Sequence, residues 1–447
     1  MIFFILIISI AIILFCILVL KLNPAISLIL GSIFIGFASN IGMVTTINKI
    51  ASGFGNLMTG IGLSVGFGVI LGQLISDSGA AKVIAKTLIK ASSEKFSLYA
   101  LGLTGFILSI PVFYDVTFVI LAPLAFAVSK QINKPIHYTI GVMIIGAGAA
   151  HTLVPPTPNP LAAADILKFD IGIMSLVGLI IGLITSLITM RIYIFLMDKG
   201  FWNKEKDEIG IETYQNSYKE EDNDDNNAPS FIASIIPIII PVILILMKTI
   251  VAAFVDPVPE IADFLSNKIA ALLIGVLSAY IISSRSMTRT KMDNSATEAL
   301  KSCGIVLLIT GAGGSFGEVI NATGISTMIA EHIKNISSAP VLALLIAFFV
   351  AALFRAALGS GTVASITTMN IMASIPAEIG IHPVWLAIIC LSGSLSMGHV
   401  NDSGFWVSTN IAGFSITGGL KTYTLGNAIV AVLAAVISII GAMFIHF

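Results

Sequence analysis

Long runs of apolar residues recur along the whole chain, and no other feature constrains its fold as strongly. A helix that crosses the hydrocarbon core of a bilayer needs about 20 apolar residues. Stretches that meet this requirement are residues 2–20, 24–42, 56–76, 138–165, 171–195, 231–254, 265–284, 301–321, 384–415 and 426–446. Only 11% of the residues are charged and the mean hydropathy is +1.00. The sequence therefore predicts an all-α, multi-pass membrane protein with ten crossings.

Four apolar segments contain a polar or Gly/Pro-rich break. Two of the crossings are interrupted, by "HTLVPPTPNP" (151–160) and by "GHVNDSGFW" (398–406). Two further segments, 98–130 and 339–376, are split by "SIPVFYD" and "FRAALGSGT". Each split segment is either a re-entrant hairpin, which enters and leaves on one side, or two short spans. Because unpaired backbone groups cost several kcal/mol each in hydrocarbon, all four breaks predict backbone that lines a cavity inside the protein.

Basic residues indicate which ends of the crossings are cytoplasmic. The set that fits every predicted crossing is Lys82, Lys86, Lys90, Lys95, Lys130, Lys134, Arg191, Arg285, Arg289 and Lys291. Both termini then lie outside, as does "VDPVPEIAD" (255–263), which has three acidic residues and no basic residue. We therefore expect a multi-pass protein of the cytoplasmic (inner) membrane, surrounded by lipid.

A hydrophilic segment divides the chain. Residues 198–229 contain more acidic than basic residues and few apolar ones, which is typical of a flexible linker. The positive-inside assignment places this linker in the cytoplasm. The predicted domains are a first repeat at 1–197 and a second repeat at 230–447.

The two halves resemble each other at an offset of 245 positions. "LGQLISDSGAAKVIA" (71–85) aligns with "FGEVINATGISTMIA" (316–330), and "PVFYDVTF" aligns with "AALGSGTV". A shift of three more positions aligns His151 with His399. Each half has five crossings, an odd number, so the second copy is expected to be inverted relative to the first. Inverted repeats with broken helices and re-entrant hairpins are a recurring architecture of secondary transporters.

Polar groups that are unexpected within a membrane fall almost entirely on the four breaks. Those assigned to substrate binding are Tyr114, Thr152, Asn159, Arg355, Ser360, Thr362, Asn401 and Ser403, and those assigned to proton coupling are Asp115, Asp402, His151 and His399. Ionisable groups inside a membrane cost about 2.5–3.5 kcal/mol on insertion scales, which favours a functional interpretation. The planar fork of Arg355 suits a carboxylate. Asp115 follows the aromatic Phe113 and Tyr114, which limit its hydration, so it is the preferred proton carrier.

Structural roles for the same residues stay open. Asp115 and Asp402 are also suited to be helix N-caps or members of a buried ion pair, and Arg355 is suited to pair with either. His151 and His399 are equally suited to hydrogen-bond the opened backbone.

Other classes of function have no support in the sequence. The Gly-rich "GAGGSFG" (311–317) lacks the Lys-Ser/Thr ending of a phosphate loop and lies inside a span, so it predicts close helix packing. The three cysteines stand singly in apolar surroundings, which favours neither a disulfide framework nor a zinc site. A net charge of −1 and the scattered basic residues do not predict a nucleic-acid partner. We expect no enzymatic activity, no cofactor and no metal site.

At the four breaks the sequence resembles the gluconate permease family, proton-coupled carriers of gluconate and related hydroxy acids within the ion transporter superfamily. The resemblance covers essentially the full length. It is carried by "ISDSGAAKVIAKTLI", "IPVFYDVTFVILAPLAFAV", "HTLVPPTPNPLAAAD", "GSGTVASIT" and "SGSLSMGHVNDSGFW". It implies symport of a small organic anion with protons and an elevator-like movement of a transport domain. The family commonly has His and Gly where this chain has Thr157 and Asn159, and Gly in place of Thr152, which puts the identity of the anion in question.

Proton-coupled symport of gluconate or a related small hydroxy acid is the leading hypothesis from the sequence. One alternative is sodium coupling, with oxygen ligands from Asn401, Asp402 and Ser403. Glycerate-like, hydroxybutyrate-like and D-serine-like substrates are further alternatives, as is an uncoupled channel or sensor. The sequence does not fix the oligomeric state, and a homodimer is compatible with it.

Overall fold

The computed structural model describes residues 2–209, 228–252, 254–255, 257–324 and 339–445, and regular structure in these ranges is helical apart from one isolated β-bridge. The helices are α1 (Ile2–Leu18), α2 (Pro24–Ala38), α3 (Met43–Asp77), α4 (Ala80–Ala91), α5 (Ser97–Leu108), α6 (Tyr114–Gln131), α7 (Ile136–Leu153), α8 (Pro158–Ile166), α9 (Ile171–Asp198), α10 (Lys204–Asp207), α11 (Phe231–Ala252), α12 (Glu260–Ser266), α13 (Lys268–Ser283), α14 (Arg289–Thr323), α15 (Ala339–Leu358), α16 (Gly361–Met372), α17 (Ile375–Ile379), α18 (Pro383–Ser396), α19 (Ser403–Ala412), α20 (Ile416–Gly419) and α21 (Leu425–Phe444). Most of the predicted linker, and the end of the repeat match at 325–330, lie outside the described residues.

Within the described ranges, seven helices are long and apolar enough to cross a membrane, or eight if α12 and α13, which meet at a 65° bend, form one span. α2 and α18, and the Phe4–Ile17 part of α1, are apolar but shorter. Each of the ten predicted crossings contains one of these helices, so the prediction of an all-α multi-pass membrane protein is confirmed. α3 and α14 have 35 residues each. At 1.5 Å per residue they are about 52 Å long, longer than the hydrocarbon core is thick.

Local sequence signals account for where many helices begin. Asn23, Asp170 and Thr288 lie just before α2, α9 and α14, and their side-chain oxygens accept hydrogen bonds from backbone NH groups of the first turn. Proline occupies the first turn of α2, α8 and α18, where its missing NH costs nothing. These local interactions favour helix starts at the observed residues.

Glycines allow α3 and α14 to pack closely. A β-carbon at Gly53 would lie 2.6 Å from the carbonyl oxygen of Gly314, and one at Gly311 would overlap the ring of Phe54. Gly311 and Gly314 belong to the Gly-rich stretch of α14, so the interpretation of that stretch as a helix-packing surface is confirmed.

α7 and α18 form the centre of the molecule. All residues of α7 except His151 are buried, and so are all residues of α18 after its first. Gly102 and Gly105 of α5 let that helix approach α7, with a β-carbon at Gly105 lying 2.9 Å from the Met143 carbonyl oxygen. These two central helices lead directly into the interrupted crossings at 151–160 and 398–406.

Both split segments fold as helical hairpins. In the first, α5 and α6 are joined by residues 109–113, and in the second, α15 and α16 are joined by residues 359–360. α5 and α16 have 12 residues each. A 12-residue helix is about 18 Å long, too short for a 30 Å hydrocarbon core. This length supports the interpretation of both segments as re-entrant hairpins.

The order of elements in the first half recurs in the second. α14, α16, α18 and α19 begin 245–247 positions after α3, α6, α7 and α8 respectively. The offset agrees with the 245 positions found in the sequence. Each half therefore supplies one long helix, one hairpin and one broken helix.

The first residues of the predicted linker differ from the sequence interpretation. Residues 201–208 are packed against residues 413–421, with a β-bridge between Glu208 and Phe414 and full burial of Asp207. Composition cannot reveal this packing, because much of it is made by backbone groups.

Candidate functional site

The four breaks in the apolar segments meet around one cavity of about 520 Å³. Its lining residues are Phe113, Tyr114, Asp115, Val116, Gly148, His151, Thr152, Asn159, Val306, Arg355, Gly359, Ser360, Gly361, Thr362, Ser394, Leu395, Asp402, Ser403, Gly404, Tyr423 and Asn427. All the residues assigned from the sequence are among them except His399 and Asn401. A somewhat larger cavity, about 590 Å³, lies between the α8–α9 connection and α12, but its lysines and aspartates pair with one another. The cavity at the four breaks is therefore the candidate site.

His399 and Asn401 lie beside the cavity but do not line it. Nε2 of His399 is 3.0 Å from the carbonyl oxygen of Ala356, and the Asn401 amide donates to the same oxygen over 2.8 Å. Ala356 lies in the last turn of α15, where carbonyl groups have no helical partner. Both side chains therefore satisfy the open end of the hairpin helix, which is the structural role that the sequence left open for a histidine.

Arg355, Asp402 and Tyr423 form a buried triad on one wall of the cavity. Arg355 and Asp402 are each 6% exposed, and Nη2 of Arg355 is ion-paired with Oδ2 of Asp402. The Tyr423 hydroxyl donates to that carboxylate oxygen over 2.8 Å and accepts from Arg355 Nη2 over 3.3 Å. Oδ1 of Asp402 accepts from the backbone NH of Gly404 over 2.9 Å. Asp402 thus acts as the N-cap of α19 and as the ion-pair partner of Arg355 at once.

Two glycines of the "GHVNDSG" stretch give the triad its space. A β-carbon at Gly398 would lie 2.5 Å from Nη2 of Arg355 and 2.9 Å from Oδ2 of Asp402. One at Gly404 would lie 2.9 Å from the Tyr423 hydroxyl. Any side chain at these positions would displace the triad, which explains glycine on both sides of the Asn-Asp pair.

Four helices begin at the cavity. Tyr114, Pro158, Gly361 and Ser403 are the first residues of α6, α8, α16 and α19, and residues from the first turn of each helix line the cavity. The N-terminus of a helix carries a partial positive charge and backbone NH groups without helical partners. Four such termini present NH donors suited to an anion, and Arg355, although ion-paired with Asp402, adds its unpartnered Nε.

Several buried polar atoms that belong to the lining residues have no hydrogen-bond partner within the described structure. They are the Tyr114 hydroxyl, Nε of Arg355, Nδ1 of His151, Oδ1 of Asn159 and Oδ1 of Asn427. A buried polar group without a partner costs about 1–3 kcal/mol. The set includes both donors and acceptors, so it can complement a ligand that carries a carboxylate and hydroxyl groups.

Asp115 differs from Asp402 in its surroundings. It lies in the first turn of α6, is half-buried and lines the cavity. No basic side chain of the described residues lies within 4 Å of its carboxylate, whereas Asp402 is paired with Arg355. The cavity thus contains one neutralised carboxylate and one without a counter-charge.

Tyr423 and Asn427 are site residues that sequence reasoning missed. They lie in and just after a π-helical turn, Leu420–Thr424, which directly precedes α21. The sequence prediction started this span at residue 426 and left the polar "KTYT" outside it. π-Helical turns within helices occur often at functional sites, but the sequence alone does not indicate them.

Residues 1–444 match the family described as GntP family permease. The chain belongs to the GntP permease family. An "uncharacterized permease" of Haemophilus influenzae is 34% identical over 428 residues, which are 92% of this chain and 86% of that protein. The high-affinity gluconate transporter of Escherichia coli is 30% identical over 435 residues, 93% of each chain.

The fold of this GntP permease also resembles a solved structure. The YdaH transporter of Alcanivorax borkumensis superposes with a TM-score of 0.63 at 14% identity, over 90% of this chain and 89% of that chain. At this identity the likeness concerns the fold alone. Family membership makes the chain a permease and not an enzyme, and its apolar helices make it a multi-pass protein of the cytoplasmic membrane.

Proposed function

We propose that this permease transports gluconate, or a small hydroxy acid like it, together with protons across the cytoplasmic membrane. The observation that carries the proposal is the convergence of four helix N-termini and Arg355 on one cavity. Relatives at about 30% identity that are named gluconate transporters support the choice of anion. A volume of about 520 Å³ is in the range of small-molecule sites.

The carboxylate of the substrate is expected to bind between Arg355 and the helix N-termini. Nη1 and Nη2 of Arg355 already donate within the protein, to Gly359, Asp402 and Tyr423, but Nε has no partner among the described residues. The backbone NH groups at the starts of α16 and α19 add further donors. Hydroxyl groups of the substrate then bond to Tyr114, Thr152, Asn159, Ser360, Thr362, Ser403 and Asn427.

Charge balance explains why an anion would be taken up with a proton. Arg355 and Asp402 neutralise each other, which leaves the unpaired Asp115 facing the arriving carboxylate. Protonation of Asp115 removes this repulsion, so proton and substrate strengthen each other's binding by equal factors. His151, which lies edge-on to Phe113 at 5.9 Å, borders the same space and is the second candidate for the proton.

The geometry of Asn401 favours protons over sodium as the coupling ion. The sodium alternative requires Asn401, Asp402 and Ser403 to form one oxygen cage. The Asn401 amide instead bonds to Ala356, and Oδ2 of Asp402 is occupied by Arg355 and Tyr423. Asn401 does not line the cavity and Oδ2 of Asp402 already has two partners, so Asn401, Asp402 and Ser403 do not form one oxygen cage there.

We also propose that the halves are inverted repeats and that the site moves as a unit against α3 and α14, in the manner of an elevator. The recurring order of elements supports the first part. For the second, glycines of the long helices lie at several contacts with the site-bearing elements: Gly68 faces Pro156, and Gly313 faces Ile366. Small residues at such contacts reduce the side-chain overlap that would oppose sliding.

Uptake by purified protein in proteoliposomes tests the proposed function. With radiolabelled gluconate, we expect accumulation under an inwardly directed proton gradient and none when only a sodium gradient is imposed at equal pH. Unlabelled gluconate should compete with the tracer, whereas D-serine should not. Uptake driven by sodium at equal pH would show that sodium, and not the proton, is the coupling ion. Equilibration without accumulation would indicate a channel.

A further inference from the structure

A segment assigned to the linker by composition is built into the fold next to the site. Residues 201–208, called the strap below, follow α9 directly and include the short helix α10. They contact the loop and helical turns at residues 413–421, which lead into the π-helical turn that carries Tyr423. The strap therefore connects the end of the first half to a wall of the cavity.

An ion pair lies at the centre of the strap contact. Oδ2 of Asp207 lies 2.6 Å from Nζ of Lys421 and accepts from the backbone NH of Asn203 over 2.7 Å. Burial raises the pKa of the Asp207 carboxyl, but the hydrogen bonds from Lys421, Asn203 and Thr417 outweigh burial and hold this pKa below its usual range. Asp207 is therefore ionised near neutral pH, and its side chain is only 1% exposed.

Backbone hydrogen bonds fix the strap in one register. The carbonyl oxygen of Asp207 accepts from the NH of Ser415 over 2.9 Å, and that of Lys206 accepts from the hydroxyls of Ser415 and Thr417 over 2.7 and 2.8 Å. A β-carbon at Gly418 would overlap the Asp207 carbonyl oxygen. A flexible linker would not make such a set of specific contacts.

An aromatic contact anchors the strap from the other side. Trp202 stacks on His137 of α7 with ring centroids 4.4 Å apart, and its indole NH donates to Glu208 over 2.9 Å. The strap thus lies between the start of α7 and the π-helical turn, and it holds both.

Lys421, which contacts the strap, lies two positions before Tyr423, which belongs to the triad. Residues two apart in a helix lie on nearly opposite faces, and Lys421 contacts Asp207 while Tyr423 contacts Asp402. The next residue, Thr424, donates its hydroxyl to the carbonyl oxygen of Gly398 over 2.6 Å. The turn is therefore held by the strap on one side and by the triad on the other.

We propose that the strap is a positioning element of the transport site, in which Asp207 and Lys421 hold the turn that places the Tyr423 hydroxyl on the Arg355–Asp402 pair. Neither Asp207 nor Lys421 lines the cavity, so both act through Tyr423. The inference rests on the proposed role of the cavity in substrate binding. It predicts that a change at the cytoplasmic end of the molecule alters affinity for substrate.

The test compares variants of the pair with matched variants of nearby exposed residues. Lys421→Met and Asp207→Asn remove one charge each, and Lys421→Arg retains the charge. Lys204→Met and Glu205→Gln remove the same charges from exposed positions of α10. Each purified variant is assayed for initial rates of gluconate uptake in proteoliposomes and for hydrogen exchange of peptides that cover residues 420–427.

We expect about fivefold higher KM for gluconate with Lys421→Met and Asp207→Asn, at less than about twofold change in Vmax, since one hydrogen bond in the site is worth about 1 kcal/mol. Exchange across 420–427 should accelerate by a similar factor. Lys421→Arg, Lys204→Met and Glu205→Gln should resemble the wild type in both assays. Combining Lys421→Met with Tyr423→Phe should raise KM no further than either change alone, because both remove the same contact.

Two results would overturn the proposal. One is unchanged hydrogen exchange across residues 420–427 in both Lys421→Met and Asp207→Asn. This measurement needs no substrate, so it stays valid even if the wild type does not transport gluconate. The other is accelerated exchange with wild-type KM, which would show that the strap only stabilises the fold. If the wild type does not take up gluconate and neither of these results is found, the proposed substrate is contradicted but the role of the strap is not. If Lys421→Met does not yield folded protein, Asp207→Asn, which retains the shape of the carboxylate, decides between these outcomes.

Discussion

Asp115 and Asp402 are both carboxylates on the wall of one cavity, yet their neighbours give them different roles. Asp402 is enclosed by Arg355, Tyr423 and the NH of Gly404, which all stabilise its negative charge. Asp115 has no such partner among the described residues, and the aromatic ring of Tyr114 precedes it. Two carboxylates in unlike environments are a common way to separate proton transfer from fixed charge.

Asp115→Asn should abolish accumulation of substrate driven by protons while leaving exchange measurable. The amide has nearly the same shape but cannot change charge. For one proton per substrate, a gradient of one pH unit supports about tenfold accumulation, since each unit corresponds to about 1.4 kcal/mol. We expect no accumulation in this variant, and counterflow of labelled gluconate that no longer depends on pH.

Asp77→Asn is the matched control for this change, because Asp77 is exposed at the end of α3 and should leave accumulation intact. Concentrative uptake by Asp115→Asn under an imposed pH gradient would show that another group of the cavity carries the proton. Asp402→Asn and His151→Gln would then be assayed in the same way.

Arg355→Lys should weaken substrate binding about ten- to hundredfold. Lysine retains the positive charge but loses Nε and the planar fork, and a hydrogen bond to a charged group is worth about 1.5–3 kcal/mol. Binding is measured by the shift in melting temperature with added gluconate, which also reports the stability of the unliganded variant. Arg191→Lys, at an exposed position, is the control. Unchanged affinity with a lowered melting temperature would make Arg355 a structural residue only.

At the scale of elements, the breaks in apolar segments were the informative signal. A break such as "HTLVPPTPNP" exposes backbone groups that hydrocarbon cannot satisfy, so burial around a cavity followed from physics alone. The direction in which a loop side chain points cannot be derived from the break in the same way. Asn401 turns to the end of α15 because carbonyl groups there need donors, and this is a tertiary fact that no local pattern contains.

Other elements escaped the sequence for related reasons. The π-helical turn at Leu420–Thr424 places Tyr423 and Asn427 on the cavity, but hydropathy places the start of the span after the turn. The strap has the composition of a disordered linker, and it folds because backbone groups and the Asp207–Lys421 pair meet a specific partner surface. Composition describes what a segment can do alone and is blind to such a partner.

Replacing residues 210–227 with a Gly/Ser sequence of the same length should leave uptake unchanged. The strap ends before this segment, so the replacement keeps every contact described for Asp207 and Trp202. Uptake is normalised to protein in the membrane, so that an effect on expression is not mistaken for one on transport. A raised KM would show that this segment also takes part in positioning the site.

At the scale of the whole molecule, the five crossings predicted for each half would make the proposed repeats inverted relative to each other. Reporter fusions test this directly. We expect a reporter after residue 92 and one after residue 287 to be cytoplasmic, and one after residue 257 to be external, since the first two positions lie among basic residues and the third among acidic ones. A cytoplasmic reporter at 257 would contradict the inverted arrangement.

An elevator requires the site-bearing elements to slide past α3 and α14, and a covalent bond between the two groups should therefore stop transport. Gly60 of α3 lies against Asp165 of α8, since a β-carbon at Gly60 would overlap the Asp165 carboxyl group. Because the Gly60 β-carbon would lie 2.2 Å from Cγ of Asp165, cysteines at the two positions are close enough for a disulfide, which needs β-carbons about 3.8 Å apart. α8 also carries Asn159, so the bond would tie the cavity to the long helix.

We expect oxidation of Gly60→Cys/Asp165→Cys to abolish uptake and a reducing agent to restore it. In the background variant the native cysteines Cys16, Cys303 and Cys390, which are buried, are replaced by alanine. Each single-cysteine variant is the control for the effect of the oxidant. The disulfide leaves both hairpin tips and the triad untouched, so a transporter that only opens and closes its hairpins would continue to work when cross-linked. Uptake by the oxidised double variant would therefore exclude the elevator and leave hairpin gating as the mechanism.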